Sequence, residues 1–240
     1  MERSSNPALR DEIFYRSLLN GTEDLMTVQG TINKTLVLLC IVLVTAALVW
    51  NSYSIVFPII IPAMIGGLIV ALVTIFRQQW SPYTAPVYAL FEGIILGGIS
   101  GYMDALYPGI VVQAVALTFG VFFLLLIVFS TRLIQVTEKF RLVVIAATGA
   151  IALLYIADIV LGFFGRPVGF VHESGIFGIG FSLVVIVIAS LNLILDFDYI
   201  EKGVEHGAPR YLEWYGAFAL LVTLVWLYLE ILRLLGKMRR

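Results

Sequence analysis

Seven apolar runs divide the chain, with short polar segments between them. They cover Thr35–Asn51, Ile55–Phe76, Pro86–Met103, Ile110–Ser130, Leu142–Phe164, Gly175–Asp196 and Tyr211–Leu235. A bilayer needs roughly 20 consecutive apolar residues per helix, and every run except the slightly short first one meets that length. The pattern predicts an all-α membrane protein, a seven-transmembrane-helix bundle. Residues 1–33 read as a polar N-terminal segment and 34–240 as one seven-helix domain. The connections are too short for a second domain, and no internal repeat is strong enough to support inverted symmetry.

Composition agrees with the pattern. Of 240 residues, 60% are hydrophobic and 13% charged, against about a quarter charged in a soluble domain. The apolar surface must therefore face lipid. A net charge of −1 carries no basic excess, so nucleic acid is not an expected partner. Cys40 is the only cysteine; it rules out an internal disulfide or thiolate cluster and reads as a small buried hydrophobe. The first 30 residues are polar and mixed in charge, unlike a secretory signal peptide.

Basic residues orient the bundle. With the N-terminus inside, the inner segments carry Arg3, Arg10, Arg16, Lys34, Arg77, Arg132, Lys139, Arg141, Lys202 and Arg210. The outer ones carry Arg166, Arg233, Lys237, Arg239 and Arg240. The expected placement is a multi-pass protein of a bacterial inner membrane with a cytoplasmic N-terminus. The sequon-like Asn20-Gly21-Thr22 and Asn33-Lys34-Thr35 fall on that inner side and read as chance.

Acids inside apolar runs are costly and commonly functional. Arg77, Glu92, Asp196, Asp198 and Glu213 fall at a similar depth in the inner third, whereas Asp158 and Glu230 read as outer-interface groups. Asp198 and Glu201 are three residues apart and share a helix face. Asp196 and Asp198 diverge, so at most one of them points at the seventh helix. Two carboxylates within a few ångströms in low dielectric titrate as a unit, which makes a pH-biased two-state element. Oxygen ligands of this kind suit hard cations such as Ca2+. Gly93, Gly97 and Gly101 recur every four residues and offer a groove for a neighbouring helix. Pro58 and Pro62 are candidates for a kink in the second helix.

The sequence offers no phosphate loop and no His/Cys metal spacing, and His172 and His206 fall in loops. An intramembrane aspartyl protease would need an aspartate after the glycines of Gly178-Ile179-Gly180, where Phe181 stands instead. No span carries the histidine of a serine protease. A non-enzymatic protein without a resident cofactor is expected.

Several blocks together resemble the Bax inhibitor-1 superfamily, in its bacterial branch. They are Met26-Thr27-Val28-Gln29-Gly30-Thr31-Ile32-Asn33-Lys34-Thr35, Tyr88-Ala89-Leu90-Phe91-Glu92-Gly93 and Asp196-Phe197-Asp198-Tyr199-Ile200-Glu201. The last segment adds Tyr211-Leu212-Glu213-Trp214-Tyr215-Gly216 and Leu227-Tyr228-Leu229-Glu230-Ile231-Leu232-Arg233. The resemblance implies a seven-helix fold and, as in some members, a pH-sensitive Ca2+ leak. There, an aspartate pair joins the sixth and seventh helices and an arginine of the second helix latches onto it. By position, Asp198 matches the first aspartate, Glu213 the second and Arg77 the latch; Glu in place of Asp is a departure. The implied gate is Asp198, Glu213 and Asp196, with Asp198 and Glu213 as candidate Ca2+ ligands and Ca2+ as the permeant ion. The alternative is a regulator that binds other membrane proteins, such as a quality-control protease or stress complex. A proton-coupled transporter comes third.

Overall fold

The computed structural model describes residues 25–50, 53–166 and 168–239. Arg3, Arg10, Arg16, the Asn20-Gly21-Thr22 sequon, Asn51 and Arg240 lie outside the described residues. Among the described residues, seven helices are long and apolar enough to cross a membrane: α1 Val28–Trp50, α2 Tyr53–Phe76, α3 Ser81–Leu106, α4 Ile110–Ser130, α5 Glu138–Phe163, α6 Ile176–Glu205 and α7 Leu212–Met238. A 3-10 turn (Gln78–Trp80) precedes α3 and a single helical turn (Gly169–His172) precedes α6. The end of the bundle where α1 starts is called the near end below; α7 starts there too.

Three boundaries differ from the hydropathy reading, each for a local reason. α1 starts at Val28, inside the segment read as polar, because the Thr27 hydroxyl accepts the Gly30 N–H at 2.9 Å and caps the helix. α5 starts at Glu138, where Thr137 accepts from the Phe140 N–H at 3.2 Å. α6 does not end at Asp196 but continues to Glu205. At 1.5 Å per residue that is about 14 Å more, so the acidic block lies within the helix. α2 runs unbroken through both Pro58 and Pro62.

α7 is the central helix. Leu221, Leu227 and Leu232 are fully buried, and α6, α1, α4 and α3 pack around it. α5 packs on α6, and α2 packs chiefly on α3. α1 enters the glycine face of α3 closely: a Cβ on Gly97 would lie 2.6 Å from the Ala46 carbonyl oxygen, and one on Gly93 would meet Thr45. Gly101 is buried on the same helix. Cys40 departs from the sequence reading, since it faces outward; Leu38, two residues earlier, takes the buried direction instead. At the near end, Leu25 bridges Pro209 and the Met26 N–H donates to the Ala208 carbonyl at 2.7 Å. The chain before α1 is thereby tied to the α6–α7 loop.

Candidate functional site

α6 carries a polar spine. Asn192 donates to the Thr148 hydroxyl of α5 at 2.7 Å. One turn later, Asp196 accepts from the Thr223 hydroxyl of α7 at 2.6 Å. Asp198, 7% exposed, accepts from Arg141 of α5 and from Lys202 of its own helix, both at 2.8 Å. Two residues along a helix turn the side chain by about 200°, so the two aspartates separate: Asp196 addresses α7 and Asp198 addresses α5. The sequence reading favoured Asp198 for the seventh helix; the group that reaches α7 is Asp196.

Glu213 is held elsewhere. It is 2% exposed and lies at the start of α7, against the start of α1. Its Oε1 accepts from the Thr27 N–H at 2.9 Å and from the Thr27 hydroxyl at 2.8 Å. Its Oε2 accepts from Lys34, whose ammonium also lies 5.7 Å from the Trp214 ring centroid. A Cβ on Gly30 would overlap the Glu213 carboxylate, so glycine there is what admits it. A carboxylate of α7 thus sits on the Thr27 N–H at the positive dipole end of α1. Thr27, Gly30 and Lys34, at offsets of three and four, present one face of α1 to it.

The expected direct contact between Asp198 and Glu213 is therefore absent among the described hydrogen bonds; Asp198 pairs with Arg141 and Lys202, and Glu213 with Lys34. Arg77 stands just past α2, is exposed, and makes no ion pair with a described residue. The cations that reach the two acids are Arg141, Lys202 and Lys34 instead. Glu92 is half-buried on α3, one turn after Tyr88. Tyr88 in turn packs edge-on against Phe218 of α7, ring centroids 5.0 Å apart. Glu201 pairs with Arg132 at 3.1 Å near the surface.

The far end holds a second cluster that the sequence read as interface. Glu230 is 1% exposed and accepts from Tyr155 and Arg233, at 2.5 and 2.8 Å. Its Oε2 has no partner among the described residues. Asp158 is buried and accepts the Val168 N–H at 2.8 Å.

What the near-end arrangement can do follows from its charges. Four helices (α1, α5, α6 and α7) meet there through two ion-paired carboxylates. Protonating Glu213 leaves the largely buried Lys34 uncompensated, which is unfavourable; protonating Asp198 frees Arg141 and Lys202, which are partly exposed, from the contact between α5 and α6. Helix contact at this end is therefore conditional on charge. As a resident Ca2+ cage the set does not fit: Ca2+ takes six to eight oxygens, while Asp198 and Glu213 face ammonium and guanidinium groups. Among the described residues, no group of three or more His, Cys, Asp or Glu is placed to hold a metal ion. Thr27, Lys34, Arg141 and Thr223 escaped the sequence reading. The Thr27-x-x-Gly30-x-x-x-Lys34 spacing was the available signal for the first two; nothing in the sequence signalled that Arg141 would meet Asp198.

A family model described as Bax inhibitor 1 like matches residues 6–240, nearly the whole chain. No curated protein gives a match.

Proposed function

The chain belongs to the Bax inhibitor 1 like family, and on that premise we propose that it is a pH-sensitive cation leak held closed at its near end by cross-helix ion pairs. Family membership by itself suggests a membrane regulator or a channel-type role. The observation that carries the finer reading is the cradle around Glu213. A buried carboxylate of α7 is clamped by Thr27 and Lys34 of α1, while Arg141 of α5 clamps Asp198 of α6.

In this reading Asp198 and Glu213 form the gate. Acid protonates them and releases Lys34, Arg141 and Lys202. Arg141 and Lys202 are already 36% and 41% exposed and need only swing toward the headgroups. The helices then separate at this end. Deeper in the bundle, Asp196 is hydrogen-bonded to the Thr223 hydroxyl, and neither it nor Glu92 is paired with a cation among the described residues. They are the acids left to meet a permeating cation, and oxygen donors suit Ca2+. The near end faces the cytoplasm in this scheme, because its connections hold most of the lysines and arginines.

Ca2+ flux into proteoliposomes, followed against pH, tests the scheme. Wild-type flux rises on acidification. Asp198→Asn and Glu213→Gln raise flux at neutral pH and flatten the profile, and Asp196→Asn lowers flux throughout. If both gate variants keep the wild-type flux and profile, the ion-pair gate is wrong. If correctly folded wild-type protein passes no Ca2+ at any pH, the leak reading fails and the regulator role is what the family membership leaves.

A further inference from the structure

A cavity of about 440 Å3 opens at the far end of the bundle, between α2, α3 and α7. It exists because α2 packs on α3 and barely touches α7, which leaves a lateral gap toward lipid. One stripe of α7 lines it: Leu229, Leu232, Arg233 and Lys237, at helical offsets of three and four that keep them on one face. Met64 and Ile99 form the opposing wall. Among the described lining residues, the two with charged or polar side chains are Arg233 and Lys237, both cations.

These groups are graded along the membrane normal. From Leu229 to Lys237 is eight residues, about 12 Å of helix, with Lys237 one residue from the end of α7. Met64 lies eleven residues into α2, about 16 Å from that same end. The charged part of the cavity is thus at headgroup level and its floor at acyl-chain depth. Arg233 keeps donors available at the top: it uses Nη1 for Glu230 and Tyr155, at 2.8 and 2.7 Å, and its Nη2 and Nε have no acceptor among the described residues. Lys237 Nζ donates to the Gly178 carbonyl and the Ser182 hydroxyl, both at 2.9 Å, which fixes it beside Arg233. The last ten described residues of α7 and its end, 230–239, hold three cations (Arg233, Lys237, Arg239) and one acid (Glu230).

We propose that this cavity is a binding site for one anionic glycerophospholipid, its phosphate on the open edge of Arg233 beside Lys237 and one acyl chain running down against Met64 and Ile99. Basic pockets between transmembrane helices recognise anionic headgroups in this way. A soluble anion would use the cations but not the apolar floor, and a neutral lipid would use the floor but not the cations.

Photolabelling tests this. The full chain is reconstituted in phosphatidylcholine vesicles containing phosphatidylglycerol with a photoactivatable acyl chain, and adducts are mapped by mass spectrometry. Adducts should concentrate on peptides containing Met64 and Leu229, and unlabelled phosphatidylglycerol should compete while inorganic phosphate does not. Arg233→Gln should reduce the labelling about tenfold, the value of one charge-assisted hydrogen bond. Because Arg233 also supports Glu230, Ile99→Trp provides a second variant that fills the cavity from its apolar wall; it should abolish the same adducts. Labelling spread over all seven helices, equal labelling by a photoactivatable phosphatidylcholine, competition by inorganic phosphate, or adducts indifferent to Ile99→Trp would each overturn the proposal.

Discussion

The two ends of the bundle handle buried acids differently. At the near end the ion pairs run between helices: Lys34 of α1 holds Glu213 of α7, and Arg141 of α5 holds Asp198 of α6. At the far end Glu230 and Arg233 are three residues apart on α7 itself. A pair within one helix moves as a unit and is blind to how far that helix stands from its neighbours. A pair between helices breaks when they part. Among the described ion pairs, those that join two helices lie at the near end, so a change in protonation there acts on helix spacing directly.

The contrast can be tested by removing one cation from each end. Lys34→Met leaves Glu213 buried and uncompensated, and should cost about 3–5 kcal/mol, the penalty for breaking a buried pair. Arg233→Gln likewise strips the cation from a buried carboxylate, Glu230, which keeps Tyr155 as Glu213 keeps Thr27, and should cost a similar amount in equilibrium denaturation in detergent micelles. The two should differ in spacing: at neutral pH Lys34→Met should part the starts of α1 and α7, read as a spin-label distance, and Arg233→Gln should not; movement in both variants would erase the distinction. Gly30→Ala places a methyl where the Glu213 carboxylate sits, and overpacking of that kind should cost about 1–3 kcal/mol in the same assay. Acidification should lengthen a spin-label distance between the starts of α1 and α7 while leaving the far ends of α3 and α7 in place. Parallel movement at both ends would show that the charges at the near end are not the hinge. The smallest effect should come from Arg132→Gln, whose pairing with Glu201 is mostly solvent-exposed; it should stay within about 0.5 kcal/mol.

The spans were readable because apolar length is a one-dimensional property of the chain. The partners of the acids were not, since pairing depends on which helices become neighbours. Lys34 looked like a flanking basic residue that orients a span, and only the capping by Thr27 places it inside α1, pointing at Glu213. Arg77 and Arg141 looked equivalent as basic residues at inner span ends. α6 packs against α5, and α2 against α3, so Arg141 has an acid within reach and Arg77 has none among the described residues. Asp196 and Asp198 looked like the terminus of a span because carboxylates normally leave the hydrocarbon. They stay inside α6 because Thr223, Arg141 and Lys202 satisfy them there. The divergence of the two aspartates was legible from helix geometry; which neighbour each would meet was not.

Gly30 has a consequence for how the molecule comes into being. α1 leaves the ribosome before α7, yet the carboxylate that completes the start of α1 belongs to α7. Until that segment arrives, Lys34 has no counter-charge from Glu213 and the Thr27 amide lacks its acceptor. The earlier helix is finished by the later one, so a chain that stops short of α7 leaves Lys34 without Glu213. Such a flaw distinguishes a truncated product from a complete one.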